Sequence, residues 1–321
     1  MASDNKKFEY LITNGGIGGQ LWGVCTTTFF LNVWIASFAG PAVMVGLAVA
    51  GKMKAAGGVA AAIGAAYLPI WPRPKWLHWF MQQGGIRYFR NSSLLYEEPF
   101  QTSAGGKTNK KLLGVHPHGM FCLGWGILFA RHELDQVNFC FSTALYNSPF
   151  FRLLTKCTGN PQPADKKTFL KLMQEEKPMA VIPGGFEEAT VTSETKHRLY
   201  LKKRKGFVKY ALQNGYTLVP SYCFGESRTY SNLQGFWKFR MWLNGLGLPA
   251  IVPFGRWWFP LLPRNSDMHI VVGKGLQLPT LATPSKEQVD EWHGQYVEEV
   301  TALFDRHKAN YGCEKDVLEI W

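Results

Sequence analysis

Two of the eight histidines in this 321-residue chain stand two positions apart, within the apolar stretch "LLGVHPHGMFCLGWG" at 112–126. A histidine whose pKa lies near neutrality is the usual general base for removing a proton from a hydroxyl group. Pro117 restricts its own backbone and that of His116, while Gly119 lets the chain turn tightly. The stretch therefore predicts a stiff loop that directs an imidazole, preferentially that of His118, into a reactive site.

Two other interpretations of the histidine pair stay open. A histidine next to a turn can simply cap that turn. His-x-His can also bind zinc, but no third ligand cluster of His, Cys or Asp is evident near His116 and His118, and structural zinc needs four ligands. We therefore expect no metal at this site.

A second glycine-containing loop follows an apolar run at "AVIPGGFEEA", residues 180–189. Gly184 and Gly185 offer backbone N–H groups, and Glu187 and Glu188 fall where a helix is expected to begin. Such a loop can stabilise a developing oxyanion, or orient a histidine or a substrate hydroxyl. The alternative is a plain turn from a strand to a helix, with solvated glutamates.

A third segment, 198–226, holds six cations close together. Cations in this arrangement could bind the phosphates of a carrier such as coenzyme A. A solvated basic face would explain most of them equally well. Nucleic acid is not expected, because no recognition module is visible. The six cations are Arg198, Lys202, Lys203, Arg204, Lys205 and Lys209.

The elements that must position these residues alternate between strand-like and helix-like patterns after about residue 72. This alternation predicts an α/β fold with a mostly parallel central sheet flanked by helices. The loops described above would follow two of its strands, where reactive groups of open α/β sheets lie. A final amphipathic helix over 285–309 is expected to pack against the core. The predicted strands are 111–115, 137–144, 178–185, 216–225 and 268–275.

The chain begins with a long apolar region, which carries no charged residue from Tyr10 to Gly51. This is longer than the roughly 20 apolar residues that a membrane-spanning helix needs. With a second uncharged stretch at 55–72, it predicts a transmembrane helical hairpin within 20–71, which turns at Gly40–Pro41 or at Lys52–Lys54. A buried globular hairpin is the alternative. We divide the chain into a membrane segment at 1–72 and an α/β domain at 73–321.

Composition supports contact with an anionic surface. The net charge is +12, and the twelve tryptophans suit a membrane interface as well as they suit a tryptophan-rich core. The six cysteines are scattered without a C-x-x-C spacing, which favours reduced thiols in a protein that faces the cytosol.

Taken in order, six segments resemble the type-2 diacylglycerol acyltransferase family, which includes monoacylglycerol and wax-alcohol acyltransferases and is a branch of the glycerolipid acyltransferases. The resemblance covers about 70–321, and the apolar region before it fits as well. The segments are "RYFR" (87–90), "HPHG" (116–119), "IPGGFEEA" (182–189), "RKGFVKYALQNGYTLVPSYCFGE" (204–226), "HIVVGKGLQLP" (269–279) and the C-terminal stretch 279–312.

This resemblance implies a multi-pass protein of the endoplasmic reticulum and lipid droplet, with its catalytic domain in the cytosol. It implies transfer of an acyl group from acyl-CoA, a substrate rather than a cofactor, to diacylglycerol. The family's H-P-H-G falls on His116–Gly119 and its G-G-x-x-E on Gly184, Gly185 and Glu188. Its R-x-G-F segment falls on Arg204, Gly206 and Phe207, and we expect the neighbouring Lys205 and Lys209 to join it in substrate binding.

One departure leaves the orientation of the imidazole open. The wider superfamily has an acid four residues after its catalytic histidine, whereas no acid follows His118 in "GMFCLG". Glu188 is the candidate for that role. The acceptor could also be monoacylglycerol or a long-chain alcohol, and the protein could be a non-catalytic lipid-binding or droplet-coating protein. The oligomeric state, a homo-oligomer included, and plastid rather than endoplasmic-reticulum residence stay open.

Overall fold

A computed structural model describes residues 8–12, 16–100, 110–248 and 250–321. Its strands, in chain order, are β1 (Phe8–Ile12), β2 (Ser92–Tyr96), β3 (Lys111–His116), β4 (Asn138–Phe141), β5 (Pro161–Pro163), β6 (Met179–Val181), β7 (His197–Leu199), β8 (Thr217–Phe224), β9 (Met268–Val272), β10 (Leu276–Gln277) and β11 (Leu318–Ile320). Its helices are α1 (Gly16–Val49), α2 (Met53–Ala66), α3 (Lys75–Arg87), α4 (Leu123–Phe129), α5 (Thr143–Asn147), α6 (Pro149–Thr158), α7 (Lys166–Gln174), α8 (Gly185–Val191), α9 (Gly206–Asn214), α10 (Trp237–Gly245) and α11 (Lys286–His307).

The predicted α/β fold with a mostly parallel central sheet is confirmed. Eight strands run in the order β1-β2-β9-β8-β3-β6-β4-β5, and β10 pairs with β8 to complete a nine-stranded sheet. The pairs β2–β9, β8–β3, β3–β6, β6–β4 and β4–β5 are parallel, and β1–β2 and β8–β9 are antiparallel. All five strands predicted from the sequence belong to this sheet; four are shorter than their apolar runs, and β3 is one residue longer.

Helices cover both faces of the sheet because its central strands are apolar on both sides. In β3, Leu113 and Val115 pack into one apolar cluster with residues of α4 and α6, while Leu112 packs into a second cluster with residues of α9 and α11. This alternation follows from the period of two along a strand. The loop after β3 therefore leaves the middle of a three-layer structure.

The predicted C-terminal helix is α11, and a capping box fixes its start. The Ser285 hydroxyl accepts from the Gln288 backbone N–H, and the Gln288 side chain accepts from the Ser285 N–H. Val289, Tyr296 and Val300 face the core at helical spacing. The hydroxyl of Tyr296 also contacts His116 at the end of β3.

The N-terminal apolar region differs from the prediction. A turn at Gly40–Pro41 is wrong, because α1 continues through both residues. A Cβ atom at Gly40 would lie 3.4 Å from Phe150 of α6 and 3.8 Å from Ile63 of α2, so α1 packs against both helices at this point. The chain reverses at 50–52, next to the second predicted turn.

Among the described residues, one helix, α1, is long and apolar enough to cross a membrane. The 14 residues of α2 extend over about 21 Å, less than the hydrocarbon thickness of about 30 Å. A hairpin in which both helices span the bilayer is therefore not confirmed. The division at residue 72 stays a prediction.

Candidate active site

The loop after β3 brings the two histidines to different places. The side chain of His116 is fully buried, and its Nε2 lies 3.0 Å from the hydroxyl of Tyr296 on α11. The side chain of His118 is partly exposed and lines a cavity. His118 can therefore contact a molecule in the cavity, whereas His116 links the loop to α11 in the protein interior.

The hydrogen bonds of His118 define which ring nitrogen carries the lone pair. Its Nδ1 lies 2.9 Å from the carbonyl oxygen of Gly119, which can only accept a hydrogen bond. Nδ1 is therefore the protonated nitrogen, and the lone pair is on Nε2. The thiol sulfur of Cys122 lies 3.3 Å from Nδ1 and 3.4 Å from Nε2, so it contacts the ring without selecting one nitrogen. Burial lowers the pKa of His118 below its usual 6.5, while the contact with Gly119 and the charge of Glu188 partly oppose this.

Glu188 holds the backbone of this loop rather than the imidazole of His118. Its carboxylate is fully buried on α8 and accepts the backbone N–H of His118 at 2.7 Å and that of Tyr200 at 2.8 Å. The same carboxylate lies 3.8 Å from Nδ1 of His116. One buried charge thus ties together the histidine loop, α8 and the segment that follows β7.

A second buried carboxylate, Glu226, supports the loop from the opposite side. It follows β8 and accepts the backbone N–H groups of Leu123 and Gly124 at 3.1 and 2.7 Å. Burial raises the pKa of Glu226 to about 7, and these two N–H groups partly oppose that rise. Both ends of the segment from His118 to Gly124 are therefore held by carboxylates.

Two of the glycines fit closely against these carboxylates. A Cβ atom on Gly119 would lie 2.2 Å from Oε1 of Glu226, and one on Gly184 would lie 2.1 Å from Oε2 of Glu188. Gly119 also has φ +62° and Gly185 has φ +59°, a conformation that favours glycine. Gly119 therefore packs against the carboxylate that follows β8, while Gly184 packs against the carboxylate of its own G-G-x-x-E pattern.

The basic cluster divides when the chain folds. Arg204 forms an ion pair with Glu187, lies near the carbonyl of Gly184 and lines the same cavity as His118. Lys205 pairs with Asp290 at 2.6 Å instead. Of the other cations, Arg198 pairs with Glu319, while Lys202, Lys203 and Lys209 are exposed.

Gly206 and Phe207 open α9 beside this cluster. Gly206 is exposed, and the ring of Phe207 packs edge-on against Tyr296 at 5.1 Å. Phe207 therefore supports the tyrosine that contacts His116. Pro117 is buried between the two histidines.

The cavity that His118 and Arg204 line has a volume of about 490 Å³, within the range of small-molecule sites. Its walls are mainly apolar and come from α1, α3, α4 and α6, with Phe30, Trp34, Phe151 and Leu154 among them. Its lining also includes the polar side chains of His118, Glu187 and Arg204. An apolar chain whose reactive end lies near the imidazole suits such a lining.

Sequence reasoning missed three residues of this site: Tyr296, Glu226 and Cys122. Tyr296 lies in an apolar helical stripe, which spacing alone assigns to core packing. Glu226 had a usable signal, because it follows Gly225 directly after a strand of an α/β sheet. Cys122 lies four residues after His118, and a cysteine within an apolar run gives no sign of a contact with the imidazole.

Among the described residues, one group of His, Cys and Asp side chains lies close enough to hold a metal ion: His197, Cys313 and Asp316. It includes neither His116 nor His118. The guanidinium of Arg228 already lies 3.3 Å from the Cys313 sulfur and 3.8 Å from Asp316. A cation of the protein itself therefore faces this group.

Comparison with known proteins adds sequence relationships to this geometry. The model of a family described as diacylglycerol acyltransferase matches residues 77–320. "Diacylglycerol O-acyltransferase 2-like protein 6" of Mus musculus is 34% identical over 226 residues, which are 62% of this chain and 66% of that protein. "2-acylglycerol O-acyltransferase 1" of Bos taurus is 30% identical, over 64% of this chain and 67% of that protein.

"Acyl-CoA wax alcohol acyltransferase 1" of Homo sapiens is 31% identical, over 64% of this chain and 68% of that protein. The match thus spans about two thirds of the length of each of these three relatives. Among solved structures, the 1-acyl-sn-glycerophosphate acyltransferase PlsC from Thermotoga maritima aligns at a TM-score of 0.43 and 10% identity, over 87% of this chain and 95% of that one.

Proposed function

Because this chain belongs to the diacylglycerol acyltransferase family, we propose that it is an O-acyltransferase that moves a fatty acyl group from acyl-CoA to diacylglycerol and so makes triacylglycerol. The observation that carries this proposal is the placement of His118. Its side chain lines an apolar cavity of about 490 Å³, a volume within the range of small-molecule sites. A base on the wall of such a cavity suits chemistry on the polar end of a lipid.

In the proposed first step, Nε2 of His118 accepts the proton of the acceptor hydroxyl. A base must be deprotonated before it can act, and burial lowers the pKa of His118, which favours the neutral imidazole. The acceptor hydroxyl is proposed to bind beside Nε2, near Cys122, which also lines the cavity.

The acceptor oxygen then attacks the thioester carbon of acyl-CoA. Negative charge develops on the former carbonyl oxygen, and backbone N–H groups of Gly119 or of Gly184–Gly185 are the proposed donors to it. When the tetrahedral intermediate collapses, the carbon–sulfur bond breaks and the sulfur takes the proton that His118 holds. The products are an ester and free CoA, so atoms and charge balance.

Arg204 is the cation that we assign to the acyl-CoA substrate. It lies on the cavity wall beside Gly185, and its charge is shared with Glu187. Phosphate oxygens could bind the guanidinium in two-pronged fashion. Lys205 and Lys209 are proposed to attract the acyl-CoA phosphates electrostatically without a fixed contact. Lys205 already pairs with Asp290, and Lys209 lies on the exposed face of α9.

The acceptor is the least constrained part of this proposal. The relatives are named for diacylglycerol, 2-acylglycerol and wax-alcohol acyl transfer. Monoacylglycerol is the second candidate, favoured by the named 2-acylglycerol activity of the bovine relative. We further propose residence in the endoplasmic-reticulum membrane and on lipid droplets, with the catalytic domain in the cytosol.

The test is an acceptor comparison in membranes from a host that lacks triacylglycerol synthesis. Labelled oleoyl-CoA is supplied with diacylglycerol, monoacylglycerol or hexadecanol, and membranes without the protein serve as the blank. Label in triacylglycerol from added diacylglycerol is the expected result. Label in diacylglycerol or wax ester would keep acyl transfer and change the acceptor. No labelled product with any acceptor, from protein that elutes as a single folded species, would contradict acyl transfer and leave a lipid-binding role.

A further inference from the structure

The segment between α9 and β9 exposes aromatic side chains that the proposed chemistry does not use. We call Phe236, Phe239, Trp242, Trp257, Trp258 and Phe259 the aromatic surface. Trp257 is 85% exposed and Phe236 is 75% exposed. Exposed leucine and valine side chains lie between them. Soluble monomers rarely leave so many large apolar side chains of one segment in water, so something is expected to cover them.

The composition of this segment indicates what covers it. Residues 227–266 contain five cations and no Asp or Glu. Arg240 is buried, and Arg228 and Arg264 lie near Asp316 and Glu194 outside this segment. Lys238 is exposed between Phe236 and Phe239. Tryptophan rings favour the headgroup level of a bilayer, where their apolar body and polar N–H are both satisfied. An exposed cation beside such rings attracts anionic headgroups.

The segment that carries the aromatic surface contacts Tyr88, which packs against α1. Nε of Arg256 donates to the hydroxyl of Tyr88 at 3.1 Å. The backbone of Tyr88 packs directly on Gly23 of α1, where a Cβ atom would lie 2.4 Å away. Trp76 and Trp79 of α3 are also exposed, and Trp79 packs edge-on against Trp22 of α1. A second group of exposed aromatic residues therefore lies next to the candidate membrane helix.

The same segment also borders the cavity. Ile251 lines the cavity that contains His118, while its neighbour Val252 is exposed. Asn244 of α10 donates to the Thr190 hydroxyl of α8 at 2.8 Å, which fixes α10 against the helix that carries Glu188. A lipid layer against the aromatic surface would thus lie next to the cavity wall.

From these contacts we infer that the aromatic surface is a second membrane contact, separate from α1, which inserts its rings into the headgroup region of a bilayer that contains anionic phospholipid. This contact holds the catalytic domain down on the membrane surface, so that a lipid acceptor can enter the cavity from the bilayer. The inference does not depend on which acceptor is used, or on whether transfer occurs.

The experiment measures the surroundings of single labelled positions in the full chain. An environment-sensitive NBD dye is attached to Trp242→Cys or Trp257→Cys, in a background where the exposed native thiol is removed by Cys25→Ser. Lys171→Cys, on the exposed face of α7, is the matched control, and the background variant alone gives the labelling blank. The protein is reconstituted into phosphatidylcholine vesicles with or without phosphatidylserine.

Doxyl-labelled lipid and aqueous iodide are then compared as quenchers. The inference predicts that the dyes at 242 and 257 are quenched by doxyl lipid and shielded from iodide, with the reverse order at 171. It also predicts weaker lipid quenching without phosphatidylserine. Iodide quenching at 242 and 257 equal to that at 171 would overturn the membrane contact. Shielding from both quenchers would show that protein covers the surface and would overturn it as well.

Equal lipid quenching in both vesicle types would overturn the anionic part of the inference. Two labelled positions guard against one substitution that disturbs folding. Because fluorescence quenching needs no turnover, failure of this inference and failure of the proposed acyl transfer give different results.

Discussion

The buried carboxylate of Glu188 offers the sharpest test of how the histidine loop is held. In Glu188→Gln, one oxygen is replaced by an NH₂ group that faces a backbone N–H, of either His118 or Tyr200. Those two N–H groups now donate to the carboxylate at 2.7 and 2.8 Å. A hydrogen bond to a charged group contributes about 1.5–3 kcal/mol. With one bond lost and the other weakened, we expect a loss of about 2–4 kcal/mol of stability.

Catalysis should fall as well, because the His118 backbone loses the contact that fixes its position. A misplacement of about 1 Å can cost a reaction about 10²-fold in rate. We expect kcat to fall by about 10–100-fold with little change in the KM for acyl-CoA, since Glu188 does not line the cavity. Thermal unfolding in nanodiscs and initial rates of CoA release measure the two effects.

Glu175→Gln is the matched control, because its exposed carboxylate at the end of α7 makes a long contact of 3.8 Å with Lys171. The reasoning is refuted if Glu188→Gln unfolds at the same temperature as this control and turns over at the same rate. A large loss of stability with normal kcat in the folded fraction would confine Glu188 to a structural role.

Three further changes follow from the same contacts. Tyr296→Phe removes the hydroxyl 3.0 Å from His116; we expect a loss of about 1–3 kcal/mol and a lower kcat with unchanged KM, measured by urea unfolding and by kinetics. Glu226→Gln removes a group that titrates. Because the pKa of Glu226 is raised to about 7 in the folded protein, wild-type stability falls as pH rises from about 4.5 to 7. The melting temperature of the variant minus that of wild type should therefore rise across this pH range, and a constant difference would show that Glu226 does not titrate there. Gly119→Ala places a Cβ atom 2.2 Å from Glu226 at φ +62° and should abolish activity, whereas Gly294→Ala on α11, with nothing within 4 Å, should retain it.

The sequence predicts the sheet better than the site because the two depend on different kinds of information. Apolar runs such as 111–115 report a strand that is buried on both faces, and the structure places β3 there. Chemistry-bearing residue types at strand ends also indicate the histidine loop. Neither signal requires knowledge of what packs across the sheet.

The partners of the loop could not be found in this way. Tyr296 lies 180 positions from His116, and its hydroxyl is the one feature that separates it from ordinary core residues in α11. The basic cluster shows the same limit, because sequence cannot tell Arg204, which reaches the cavity, from Lys205, which pairs with Asp290. The continuation of α1 through Pro41 depends on α2 and α6, which pack against Gly40.

The central claim, that His118 is the base, is tested most directly by the rate of CoA release from oleoyl-CoA at saturating acceptor. His118→Ala is compared with His132→Ala. The side chain of His132 is 81% exposed and has no part in the proposed mechanism. We predict a loss of at least about 10²-fold in His118→Ala, in protein that melts like wild type, and wild-type rates in His132→Ala. Equal rates in the two variants would show that another group removes the proton and would contradict the mechanism.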